Sequence, residues 1–74
     1  MRNHDTNKVG DHVKIVGEEN FVYEITATKL KPHIAVDKAI INVPKGSDYV
    51  LRMLDQEKQF EPYRYVVSGM LLNA

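Results

Sequence analysis

The sequence predicts an all-β domain, a small barrel of about five or six short strands, and three observations carry that prediction. Apolar residues recur at every second position over 13–15, 21–27, 49–53 and 63–67, the repeat of strands with one buried face. β-Branched and aromatic side chains concentrate in those runs, where a pleated and half-buried surface suits them. Between the runs stand Gly10-Asp11, Gly17, Glu18-Glu19-Asn20, Pro44-Lys45-Gly46-Ser47-Asp48 and Ser68-Gly69, which are turn residues. Closure is the common answer for so small a sheet, because it removes exposed edges.

Residues 1–8 contain one apolar side chain, Met1, and are expected to form a polar, flexible tail. The single domain then runs from 9 to 74. Its first strand carries Val13 and Ile15 on one face and His12, Lys14 and Val16 on the other. After the polar turn, Phe21 to Thr28 forms a second strand with Phe21, Tyr23, Ile25 and Ala27 inward. Lys31-Pro32-His33 breaks the pattern, since proline removes a ladder donor.

Ile34 to Val43 fits two descriptions. Alternation and β-branched content (Ile34, Val36, Ile40, Ile41, Val43) favour a strand, while Val36, Ala39, Ile40 and Val43 also match a helical repeat. Strand and short helix therefore both stay open over 34–43, with strand favoured. Tyr49, Leu51 and Met53 then share one face, and Asp55 to Pro62 reads as a charged loop with Phe60 in it. Tyr63, Tyr65 and Val67 share a face of the return strand, and Leu71-Leu72 follows a tight turn at Ser68-Gly69-Met70.

Composition narrows the function classes. A 74-residue chain buries one modest core and is marginally stable without help. It has no cysteine, which excludes disulfides and thiolate-bound zinc and suits a reducing cytoplasm. Ten Lys plus Arg balance ten Asp plus Glu, so no long-range field draws the chain to nucleic acid or anionic lipid. The longest apolar runs, such as Met70-Leu71-Leu72, are too short to span a bilayer, and the polar start lacks the apolar stretch of a signal peptide. A soluble, cytoplasmic protein without membrane contact is expected.

The opening Val9-Gly10-Asp11-His12-Val13-Lys14-Ile15, followed by Tyr23-Glu24-Ile25, resembles the start of SH3-like barrels of the bacterial and phage type. The stretch Val66-Val67-Ser68-Gly69-Met70-Leu71 is similar to the short turn that precedes their last strand. The resemblance covers about half the chain, and residues 30–48 depart from it in length, which leaves an inserted hairpin or a helical turn open there. It implies an SH3-like fold and an origin in a bacterium or phage. Since that fold hosts binding to RNA, DNA, peptides and assembly partners, it implies no single function.

Catalysis lacks a converging acid–base set. Ser47 and Ser68 sit in turns, and nothing places His4, His12 or His33 beside them. His4, Asp5, Asp11 and His12 could ligate a metal in kind, but not at a spacing that fixes geometry. No catalytic residue, metal site or small-molecule cofactor is expected.

Binding remains. Val16, Val22, Val50, Leu54 and Val66 lie opposite the expected core face, and a small barrel cannot bury both faces of every strand. A contiguous patch of them would mark a surface for another protein or a second copy of the chain. The alternative is nucleic acid, contacted by Lys29, Lys31, His33, Lys38 and Lys45, with Tyr49, Phe60, Tyr63 and Tyr65 as stacking faces. Protein binding leads because the aromatic residues share faces with core positions and the net charge is zero.

Overall fold

The computed structural model describes residues 7–54 and 63–73. Most of the expected tail, with His4 and Asp5, and the expected loop at 55–62, with Phe60, lie outside the described residues. Seven strands and one 3-10 turn make up the rest: β1 (His12–Ile15), β2 (Glu18–Thr28), β3 (His33–Val36), β4 (Ala39–Asn42), β5 (Tyr49–Met53), β6 (Tyr63–Val66), the turn Ser68–Met70, and β7 (Leu71–Asn73). The class is all-β. Five strands form one antiparallel sheet in the order β6-β5-β2-β1-β7, and β3 and β4 form a separate hairpin. The sheet's hydrogen bonding does not run into a closed ring among the described residues, so β6 and β7 are its edges.

Residues 33–42 resolve as the inserted hairpin. His33 pairs with Asn42 and Val36 with Ala39, which leaves Asp37 and Lys38 as a two-residue connection. Both have positive φ, 49° and 66°, the left-handed conformation that lets a tight turn follow the twist of its strands. β-Branched residues hold the strand form here despite the helical spacing, because χ1 is restricted in a helix.

The sheet has two apolar faces. On the first, Val13, Ile15, Tyr23, Ile25, Tyr49, Leu51 and Val66 form the main core, flanked by Phe21, Met53 and Leu71. On the second, Ala27, Val36 and Val50 are buried together, with Ile34, Ile41, Tyr63 and Tyr65 packed around them. The hairpin thus lies over part of the second face and dries it.

A bulge decides which residue goes where. Ile25 pairs with Leu51, yet Ala27 pairs with Val50, so Thr26 is the extra residue in β2. Its hydroxyl donates to the Val50 carbonyl at 3.0 Å. One inserted residue reverses the alternation beyond it. Ala27 therefore leaves the Ile25 face, on which alternation had placed it, and joins the second cluster.

Two expected surface residues belong to the interior. Val50 points away from Leu51 as expected, but the hairpin covers it and its exposure is 0%. Val66 is opposite Tyr49 across the β5–β6 ladder, so it faces the main core at 4% exposure. The face assignment along β6 is thereby inverted: Tyr63 and Tyr65 pack on the second cluster, and Val67 is exposed.

Arginines fasten the margins. Arg52 donates to Glu24 Oε1 at 3.0 Å and to Asp37 Oδ2 at 2.7 Å, tying the hairpin tip to the sheet. Those two carboxylates hold the Arg52 guanidinium above its ordinary pKa, Glu24 through its hydrogen bond first. Arg64 makes a two-pronged contact with Glu18, both distances 2.8 Å. Its Nη1 also reaches the hydroxyl of buried Tyr23 at 3.4 Å, and burial pushes that phenol's pKa up.

The Arg64 hydrogen bonds lower the Glu18 pKa, against the opposing effect of partial burial. A carboxyl depressed in the folded state stabilises the fold above its unfolded pKa of ~4.3 and loses that contribution as pH falls through the folded value. Wild type should therefore lose thermal stability below about pH 4.3, and Glu18→Gln should flatten this part of the profile. Glu18 and Arg64 keep 33% and 39% of their side chains in water, so screening limits the pair to roughly 1 kcal/mol or less. At neutral pH the substitution should lower the melting temperature by no more than about 4–8 °C, measured by circular dichroism melts across pH.

Candidate interaction surface

Among the described residues β7 pairs on one side only. Val13 lies opposite Asn73, Lys14 opposite Leu72 and Ile15 opposite Leu71, and the Val16 N–H continues the ladder by donating to the Met70 carbonyl at 2.9 Å. The other edge of β7 has no strand beside it among the described residues. Met70-Leu71-Leu72 is a run of three apolar residues, and a strand can send only alternate ones to the core. Leu71 packs against the main core. Met70 and Leu72 are left 38% and 39% exposed, beside Val16 at 48%.

Val16 occupies the tight connection between β1 and β2. Ile15 and Glu18 are paired, so Val16 and Gly17 make the turn, with Gly17 at φ 89°. That geometry lifts Val16 out of the strand and sets it next to Met70. Val67 is also exposed at the start of the 3-10 turn. The outcome is an apolar margin of Val16, Met70 and Leu72 along a strand edge that has no partner among the described residues.

Of the five residues expected to make this surface, only Val16 belongs to the exposed margin. Val22 and Leu54 are half-buried neighbours, joined by the Leu54 N–H donating to the Val22 carbonyl at 3.0 Å. Val50 and Val66 are core. Met70 and Leu72 were not anticipated as contacts, although three successive apolar residues in so short a strand were the signal for them.

The basic residues divide differently. Lys29, Lys31, His33, Lys38 and Lys45 are all exposed, but the hairpin separates them. Lys29 and Lys31 line a depression of about 780 Å³ with Ser47, Asp48, Tyr49 and Ser68. Lys31 and Lys45 line an adjoining one of about 310 Å³. Lys38 sits on the hairpin tip beside Asp37, and His33 at the hairpin's open end; neither lines these depressions. Tyr49 is buried in the main core, and Tyr63 and Tyr65 are half-buried against the second cluster, which limits them as stacking faces.

Ser47 and Ser68 do come together on one depression, with no histidine among its lining residues. Among the described residues no group of three or more His, Cys, Asp or Glu is placed to hold a metal ion, and no helix is long and apolar enough to cross a membrane. Comparison with protein-family models, curated proteins and solved structures found no match.

Proposed function

We propose that this chain is a non-enzymatic, cytoplasmic interaction module that binds another protein, or a second copy of itself, through the free edge of β7 and the apolar margin beside it. One observation carries the reading: Val16, Met70 and Leu72 are each more than a third exposed along a strand whose outer hydrogen-bonding groups have no partner strand among the described residues. An open edge accepts a further strand through main-chain hydrogen bonds, and flanking apolar side chains add selectivity. Proteins commonly blunt such edges with lysine or proline; Leu71-Leu72-Asn73 has neither. The SH3-like resemblance is part of the same proposal. It is supported by a first strand that pairs with both the second and the last, and by the 3-10 turn between Val66 and Leu71.

Sedimentation across a concentration series should show self-association of the wild type that Met70→Lys/Leu72→Lys removes. If the wild type stays monomeric, titration with extended peptides of alternating apolar residues should shift the amide resonances of Val16 and Leu71–Asn73. A steady monomer with no shifts at that edge would overturn the reading.

A further inference from the structure

The two depressions are one trough. Leu30, Lys31 and Ser47 line both, with Lys29 in the first part, Lys31 at the junction and Lys45 in the second. The three lysines are thus distributed along the trough rather than around one depression. Among the described residues none of the three is in an ion pair. Asp48 is the one carboxylate among the lining residues, and its Oδ2 accepts the Ser68 N–H at 2.9 Å.

The backbone contributes to this placement. Lys29 has φ 53°, a left-handed conformation that side chains other than glycine rarely adopt and that recurs at functional positions. It turns the chain at the end of β2 into the trough. Beyond it Leu30, Pro32, Val43 and Pro44 form an apolar wall beside the lysines.

We propose that this trough binds the backbone of a single-stranded nucleic acid, with successive phosphates on Lys29, Lys31 and Lys45 and bases against the apolar wall. One small anion would call for converging donors, whereas spaced cations along an elongated hollow match a chain of phosphates. The zero net charge does not oppose this, because a local cluster acts within the screening length of about 10 Å at 0.1 M salt. It does restrict binding to low and moderate salt. The lysines involved are separate from the β7 margin, so this inference stands or falls independently of the protein-binding reading.

Fluorescence anisotropy with a short labelled oligothymidylate provides the test. Three phosphate contacts on a single strand give a log–log salt slope of about −2, so affinity should fall roughly twentyfold between 50 and 200 mM salt. Lys29→Ala/Lys31→Ala/Lys45→Ala should weaken binding at least tenfold, while Lys14→Ala/Lys38→Ala retains it. Amide shifts on the folded wild type, independent of any variant, should centre on 28–31, 44–49 and Ser68. Absence of binding at 50 mM salt, or shifts centred elsewhere, would overturn the proposal. So would polyglutamate of equal charge competing as well as the oligonucleotide, which would point to an acidic peptide instead.

Discussion

Val50→Asp should leave the chain unfolded at room temperature, with no cooperative melt by circular dichroism and collapsed amide dispersion by NMR. Val50 is fully buried between the sheet and the hairpin, with Ala27 and Val36 as its buried neighbours. Neither buried neighbour, Ala27 or Val36, has a side chain that offers a cation or a hydrogen-bond donor to an incoming carboxylate. An unpaired charge in such a place costs several kcal/mol, on top of the lost valine packing. At roughly 0.05–0.15 kcal/mol per residue the whole domain has about 4–11 kcal/mol to lose. The outcome also discriminates between two pictures of the sheet. If its second face were open to water at β5, the same substitution would change stability by no more than about 0.5 kcal/mol, and a normal melt would show that the hairpin does not cover Val50.

Leu51→Ala tests the opposite face one residue along. Leu51 is fully buried with Val13, Ile15, Tyr23 and Ile25 around it. Truncation removes transfer energy and leaves a cavity that a two-sided sheet cannot collapse into, for a cost of about 2–5 kcal/mol. In a domain of this size that corresponds to a fall in melting temperature of about 8–40 °C. Val16→Ala supplies the contrast, since an exposed turn residue should shift the melt only slightly. Equal melting temperatures for the two variants would contradict the assignment of Leu51 to the core.

These two neighbours illustrate what could be read from the sequence. Period-two patterning identified Val13, Ile15, Tyr23, Ile25, Tyr49 and Leu51 as inward, because in each case one face of the strand meets the main core directly. It failed where tertiary structure changed the rule. Thr26 carries no mark of a bulge, so the reversal at Ala27 was invisible. Asp37-Lys38 has neither glycine nor asparagine, so the hairpin turn was not signalled, and without the hairpin there was nothing to cover Val50. Val66 was misassigned because register across β5–β6 is set by pairing, which local alternation does not report.

The surfaces were legible in part for the same reason. Residue type marked Val16 and the lysines, but only the strand order shows that β7 lies at an edge and exposes Met70 and Leu72. Likewise Lys29, Lys31 and Lys45 come to line one trough because the chain returns to the sheet after β4, while the hairpin carries Lys38 away.

The hairpin also shapes how the chain finds its fold. β2 and β5 are adjacent in the sheet, yet residues 29–48 intervene between their ends, and the entropy of closing a link grows with its free length. Pairing of β3 with β4 is local and spans only a two-residue connection, so it can form ahead of the long-range ladder. Once formed, it shortens the flexible part of that link and brings Thr28 towards Tyr49. An insertion that lengthens the sequence thus need not slow the pairing of the strands on either side of it.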